Sequence, residues 1–250
     1  MTTATWNRLD KALSTRRPAL ICYLPLGDPA ARFADPAAYL ADGVDVLEVG
    51  VAAPAPMLDG PIIRDSMRRA LAAGMNNKRA AREIAAMKLA LGDPATVWMT
   101  YPSAAGPDFR EDLRASGTDG VLVAGAGALT YSDIPGVHEI QFIPHRPTAG
   151  QVAAAAHATG YIMVAAANGV SGRRGAVSPD NADLLQRLRE NGATARLALG
   201  FGITDWRGAR DAVRCGADAV IVGTAALLAA MDSARSLRRL ISTLRNALDE

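Results

Sequence analysis

The chain has 250 residues, of which 50% are hydrophobic and 21% are charged, which is enough apolar material for a large core. Its 27 Lys and Arg residues nearly balance its 25 Asp and Glu residues, and the absence of a basic run or an aromatic-basic stripe argues against a nucleic-acid partner. Cys22 and Cys215 do not form a zinc-like or disulfide pattern, so the sequence predicts a cytoplasmic protein. No apolar run approaches the roughly 20 residues that span a bilayer, so no membrane segment is predicted.

Eight short apolar runs alternate with helical periodicity along the chain. They are Ala19–Leu24, Asp45–Val49, Thr96–Tyr101, Gly120–Val123, His138–Ile143, Tyr161–Ala165, Arg196–Leu199 and Ala219–Val222. This alternation is typical of a parallel sheet with crossover helices. Together with the chain length, it predicts an α/β fold in which residues 1–250 form a single (β/α)8 TIM barrel domain.

Three helices can be placed from the sequence. An extra amphipathic helix around residues 5–15 precedes the first strand and is predicted to close the lower mouth of the barrel. A second helix begins at Pro61, a proline suited to a first turn, and ends before Gly74. The third ends the chain. Arg238, Arg239 and Arg245 lie off its apolar face and are predicted to be solvated.

Glu48 stands inside the otherwise apolar second predicted strand. Its side chain must point either into the barrel or toward the helices, and in both places the charged form is costly unless it is paired. Burial would raise the pKa of its carboxyl group, which suits proton transfer near neutral pH. A carboxylate bridged to Arg or Lys in the helix layer explains the position equally well.

Asp59 follows in the sequence Leu58-Asp59-Gly60-Pro61. Asp before Gly-Pro is a good turn or helix-cap residue, which is the simpler interpretation. The loop after the second strand can also carry Asp59 over the barrel mouth toward Glu48. Two carboxylates in unlike environments can divide acid and base roles between them.

Glycines follow the last three predicted strands, at Gly169–Gly172, Gly200–Gly202 and Gly223. In this fold the loops after strands seven and eight commonly bind phosphate through backbone N–H groups and a helix N-terminus. Glycine also serves any tight turn, but its presence in both loops favours a phosphorylated substrate. The three histidines show no metal-ligand spacing, so no metal site is predicted.

Eight short motifs extend over nearly the whole chain. They are Leu26–Pro29 (LGDP), Gly43–Gly50 (GVDVLEVG), Asp59–Pro61 (DGP), Met99–Tyr101 (MTY), Gly169–Gly172 (GVSG), Gly200–Ile203 (GFGI), Gly216–Asp218 (GAD) and Gly223–Thr224 (GT). In this order they resemble the signature of the tryptophan synthase α-chain family. The ordered set is far more specific than any one motif.

The resemblance implies a lyase that cleaves indole-3-glycerol phosphate to indole and glyceraldehyde 3-phosphate without a cofactor. Glu48 would be the general acid-base group that protonates the indole carbon bearing the glycerol chain. Asp59 would bind the indole N–H and stabilise the cationic tautomer. The implied substrate-binding residues are Gly172, Gly202, Gly223 and Thr224 for the phosphate, and Tyr23 and Tyr101 for the indole pocket.

The chain departs from the family in the loops around the implied site. Members usually read Gly-Ile-Pro-Phe-Ser-Asp-Pro after the catalytic strand, where this chain has Gly50–Pro56 (GVAAPAP), with Ala55 in place of the Asp that communicates with the β subunit. Gly125 and Gly127 replace an Asp and a Pro. Met163 replaces a pocket tyrosine, and Ala167 replaces the arginine of a mobile loop.

These losses cluster where the family closes its site and contacts its partner, while the two carboxylates and the phosphate glycines remain. Tight association with a β chain is therefore doubtful, and a stand-alone indole-producing paralogue of specialised metabolism is the favoured interpretation. A lyase acting on another phosphorylated substrate and a non-catalytic regulatory subunit remain alternatives.

Overall fold

The computed structural model describes residues 6–125, 131, 133–167 and 177–250, and its centre is a parallel sheet. The strands are β1 (Ala19–Pro25), β2 (Val46–Gly50), β3 (Thr96–Thr100), β4 (Gly120–Val123), β5 (His138–Glu139), β6 (Gln141–Ile143), β7 (Tyr161–Ala165), β8 (Arg196–Gly200) and β9 (Ala219–Val222). Their order is β5-β4-β3-β2-β1-β9-β8-β7-β6, and each neighbouring pair is parallel. Seven of the eight predicted strands are present, with bounds that shift by at most one residue.

The predicted fifth strand, His138–Ile143, is wrong as an uninterrupted element. It consists of β5, which pairs with β4, and β6, which pairs with β7, and Ile140 lies between them. The chain changes partner there, and the Ile140 amide still donates a 2.8 Å hydrogen bond to Val121. Because the two ends of the sheet belong to one continuous run, the ring nearly closes, and the predicted TIM-barrel fold is confirmed.

Ten α-helices and two short 3-10 helices, Pro102–Ala104 and Ala155–His157, occur in the described part of the chain. The α-helices are α1 (Arg8–Leu13), α2 (Pro36–Ala41), α3 (Pro61–Ala72), α4 (Asn77–Ala90), α5 (Phe109–Ser116), α6 (Ala149–Ala154), α7 (Asp180–Glu190), α8 (Trp206–Arg214), α9 (Thr224–Asp232) and α10 (Ala234–Asp249). The predicted bounds of α3 are confirmed, because Gly74, just after it, takes a φ of 81° that favours glycine. Among the described helices, none is long and apolar enough to cross a membrane.

The predicted N-terminal helix is α1, and it seals the lower end of the barrel. Asn7 caps it through a capping box, which satisfies backbone donors of the first turn. Leu9 is fully buried, and a Cβ atom at Gly120 or Gly160 would lie 3.2 or 3.1 Å from its Cδ2 atom. Gly120, the first residue of β4, and Gly160, just before β7, therefore leave the room that the Leu9 side chain fills.

Arg245 is not solvated, so the prediction for this residue is wrong. Its side chain is buried and forms ion pairs of 2.9 Å with both Asp45 and Asp249, and it donates a 3.0 Å hydrogen bond to the carbonyl of Pro18. A buried charge is tolerated when it is paired in this way. Arg238 and Arg239 are exposed, as predicted.

Candidate active site

Glu48 lies within β2 and is 3% exposed. The hydroxyl of Tyr161, which comes from β7 on the opposite side of the ring, donates a 3.0 Å hydrogen bond to Glu48 Oε1. Glu48 therefore points into the barrel, and no ion pair joins it to an Arg or Lys in the described part of the chain. Of the two interpretations of its position, the structure supports the inward one.

Burial raises the pKa of Glu48 to about 7, although the hydrogen bond from Tyr161 opposes the rise, and the negative charge of Asp59 adds to it. The carboxyl group can therefore hold a proton near neutral pH and release it. Desolvation, the main cause, is the one that placement inside the barrel predicts.

The raised pKa predicts a pH-dependent stability difference between wild type and Glu48→Gln. Between about pH 4.5 and about pH 7 the native protein holds a proton that the unfolded chain releases, so the free energy of unfolding falls as the pH rises through this window. Glutamine does not titrate. On going from pH 4.5 to pH 8, the free energy of unfolding of the variant should therefore rise by about 3 kcal/mol relative to that of wild type. Urea unfolding at the two pH values measures this gain. Glu111→Gln, a substitution at an exposed residue, is the control. An equal stability difference between Glu48→Gln and wild type at both pH values would contradict the raised pKa of Glu48.

Asp59 lies at the end of the loop after β2, next to the start of α3. It does not cap this helix, because the N-cap residue is Gly60, which makes no side-chain cap hydrogen bond. The Tyr101 hydroxyl instead donates a 2.7 Å hydrogen bond to Asp59 Oδ2. Burial, and then the charge of Asp59, raise the pKa of Tyr101, so this hydroxyl stays protonated as a donor.

Both carboxylates line one cavity of about 530 Å³, a volume that includes its opening to solvent. Apolar side chains make up most of the remaining wall. The lining residues are Tyr23, Glu48, Asp59, Ile63, Met99, Met163, Phe201, Gly202, Ile203, Thr204, Ile221, Gly223 and Thr224. Such a mixture, with a few polar groups in an apolar wall, is typical of a small-molecule site.

The end of this cavity formed by β8 and β9 has the features of an anion site. Gly202 has a φ of 87°, and the preceding Phe201 takes a φ of 65°, a conformation that is costly for a bulky residue. Gly223 directly precedes α9, and both Gly223 and Thr224, the first residue of this helix, line the cavity, so the helix N-terminus borders it. Thr224 Oγ1 is buried and has no hydrogen-bond partner among the described residues.

The predicted site residues are only partly brought together. Tyr23, Gly202, Gly223 and Thr224 line the cavity with the carboxylates. Tyr101 does not line it, because its fully buried side chain lies behind Asp59. Gly172 lies outside the described residues.

Tyr161 was missed by the sequence analysis, although it contacts Glu48. Met163 lies two positions after it in β7, and side chains two positions apart in a strand share a face, so the inward direction of Tyr161 follows from that of Met163. The alternation of side chains along the strand could therefore have identified Tyr161 as an inward-facing residue. The hydrogen bond itself depends on the diameter of the barrel, which the sequence does not give.

The comparisons with known proteins agree with this geometry. A sequence profile described as tryptophan synthase alpha chain matches residues 9–248. The tryptophan synthase alpha chain of Laribacter hongkongensis is 32% identical over 267 residues, covering 97% of this chain and 99% of that protein. The chain belongs to the tryptophan synthase alpha chain family. A second family member, from Halorhodospira halophila, is 33% identical and covers 98% of this chain and 96% of its own length.

The alpha-chain fold is also shared. A chain in the structure of Mycobacterium tuberculosis tryptophan synthase superposes with a TM-score of 0.84 at 28% sequence identity, covering 98% of this chain and 99% of that one. The resemblance inferred from eight short motifs is therefore confirmed at the level of family and fold.

Proposed function

We propose that this protein is a lyase that cleaves indole-3-glycerol phosphate to indole and glyceraldehyde 3-phosphate. The observation that carries the proposal is Glu48, a buried carboxyl group with a pKa of about 7, which lines one cavity together with Asp59 and the first residue of α9. Membership of the alpha-chain family supports the same reaction.

The reaction needs one proton to be delivered and another to be removed. Protonated Glu48 donates its proton to the indole carbon that carries the glycerol chain, which leaves a cationic ring. The Asp59 carboxylate accepts a hydrogen bond from the indole N–H and stabilises that charge. The Glu48 carboxylate then removes the hydroxyl proton of the adjacent carbon, the carbon–carbon bond breaks into the ring, and indole and the aldehyde form with Glu48 protonated again.

Incubation of the purified protein with indole-3-glycerol phosphate tests the proposal directly. Equal amounts of indole and glyceraldehyde 3-phosphate are expected at a rate proportional to the protein concentration. Absence of indole from a folded protein that still binds phosphate would contradict it.

A second candidate is a lyase acting on another phosphorylated substrate. Met99 and Met163 line the cavity that holds Glu48, and methionine is an adaptable wall residue that accepts several shapes. Cleavage of other aryl glycerol phosphates, but not of the indole compound, would favour this candidate. Binding without cleavage of any of them would favour a regulatory subunit.

The proposed phosphate site predicts that Gly223→Val weakens anion binding without unfolding the protein. The atom nearest to an added Cβ is Tyr23 Cβ at 4.0 Å, an ordinary contact, so the larger side chain should extend into the cavity. Phosphate affinity should fall about tenfold or more, since an anion held by backbone N–H groups cannot approach a filled position. Calorimetric titration with inorganic phosphate measures this, and Gly150→Ala on α6 is the control. Unchanged affinity in the folded variant would place the anion elsewhere.

We also propose that the protein works without tight association with a β chain. The replacements Ala52, Ala53, Ala55, Gly125 and Gly127 remove larger or polar side chains that the family carries in these loops; Gly127 lies outside the described residues. Interface affinity depends on a few anchors, each contributing about 2 kcal/mol or more, and about 1.4 kcal/mol corresponds to a tenfold change. Calorimetric titration with the β chain of the same organism should give weak or undetectable binding. Submicromolar affinity together with a large rate increase would contradict this.

A further inference from the structure

Asp28, in the loop after β1, is the centre of a buried polar cluster outside the cavity. Its side chain is completely buried and accepts two hydrogen bonds from Arg69, of 2.8 and 2.7 Å, one of 2.6 Å from the Ser66 hydroxyl, and one of 2.9 Å from the Ala30 amide. Burial raises the pKa of Asp28, but the bonds from Arg69 and Ser66 outweigh burial and hold it below its ordinary value. Asp28 is therefore a charged group whose acceptor positions are well occupied.

The same cluster reaches a third element, α9. Arg69 Nη2, which donates to Asp28 Oδ2, also contacts Met231 Sδ at 3.8 Å. In addition, α3 packs against α9. The loop after β1 is tied to α9 a second time, because the Phe33 amide donates a 3.0 Å hydrogen bond to the Ala230 carbonyl. Asp28 and Arg69 thus join one loop to α3 and α9.

Both helices border the cavity. Asp59 lies two residues before the start of α3, and Ile63 of α3 lines the wall. Thr224 is the first residue of α9, at the anion end. We propose that Asp28 and Arg69 are positioning residues that fix the distance between the indole-binding and phosphate-binding ends of the site. This inference rests on the proposed function.

A fixed distance matters only to a ligand that occupies both ends. Such a ligand binds more tightly than its separate parts because attachment of one end raises the effective concentration of the other. A misplacement of about 1 Å between the ends can cost roughly 10²-fold in rate. A ligand that occupies one end alone does not depend on that distance.

Titration of three probes into wild type and Arg69→Met tests the proposal. The probes are indole, inorganic phosphate and a non-cleavable indolylpropyl phosphate, which carries both groups. The variant should bind the first two within about twofold of wild type and the third about tenfold more weakly. Arg68→Met is the matched control, because the neighbouring Arg68 is 73% exposed and pairs only loosely with Asp65 at 3.4 Å.

Two further variants keep the test decisive if Arg69→Met does not fold. Asp28→Asn preserves the shape of the side chain and the bond from Ser66, and should show the same selective loss. Arg69→Lys should show an intermediate loss, because an ammonium group cannot make two parallel bonds to a carboxylate.

The outcomes separate this proposal from the proposed function. Variants that weaken all three probes in proportion, or none of them, would overturn the positioning role. A wild type that binds the two-group probe no more tightly than phosphate would also overturn it. If the variants lose affinity selectively for the two-group probe but wild type releases no indole from indole-3-glycerol phosphate, the positioning role is supported. Only the lyase assignment is then overturned.

Discussion

Glu48→Gln is expected to lower the rate of indole formation by about 10²–10⁴-fold while leaving the barrel folded, the range typical of a positioned acid-base group. The amide is nearly the same size as the carboxyl group and can still accept the hydrogen bond from Tyr161. It cannot deliver or remove a proton. Steady-state assays of indole release, with circular dichroism to confirm folding, measure the effect.

Tyr161→Phe provides the comparison. It keeps the Glu48 carboxyl group but removes a hydrogen bond that lowers its pKa, so the pKa should rise above about 7. Because the first step needs protonated Glu48, kcat/KM should decline at alkaline pH, and in Tyr161→Phe this decline should begin at a higher pH. Wild-type turnover by folded Glu48→Gln, or an unshifted profile for Tyr161→Phe, would contradict the role given to this pair.

Gly50→Ala is expected to destabilise the protein and disrupt the site together. A Cβ atom at Gly50 would overlap the ring and hydroxyl of Tyr23, which lines the cavity beside Glu48. Overpacking of this kind typically costs about 1–3 kcal/mol, and here the displaced ring belongs to the cavity wall. The free energy of unfolding should fall by at least that amount, and kcat/KM should fall with it.

Two variants test the cause of this loss. Gly106→Ala should be harmless, since no atom lies within 4 Å of the added Cβ. Adding Tyr23→Leu to Gly50→Ala should recover stability by removing the overlap. Full activity and stability of Gly50→Ala alone would show that the ring moves freely.

The strands were predictable because their signal is local. Apolar runs and the small turns before them set the order and bounds of the strands, and one residue at most separates prediction from structure in seven of the eight. The division of the fifth strand at Ile140 was not predictable, because it arises when the closing ring changes partners. Closure is a property of the whole sheet.

The residues of the site also differ in how well the sequence could place them. Glu48 and the glycines after β8 and β9 could be placed because each ends or interrupts a recognisable strand. Tyr101 was predicted to line the indole pocket but instead hydrogen-bonds to Asp59 from outside the cavity lining, since a strand-end residue can face the cavity or its supporting layer. Arg245 was misplaced because helical periodicity does not reveal a distant partner such as Asp45.

The position of Leu9 bears on how a ligand reaches the proposed site. Leu9 fills the lower end of the barrel between Gly120 and Gly160, and the cavity is lined by residues at and after the carboxyl ends of the strands, so a ligand of the proposed site enters from that side. A phosphorylated product that has not yet left occupies the place that the next substrate needs. Inhibition by glyceraldehyde 3-phosphate should therefore be competitive with substrate.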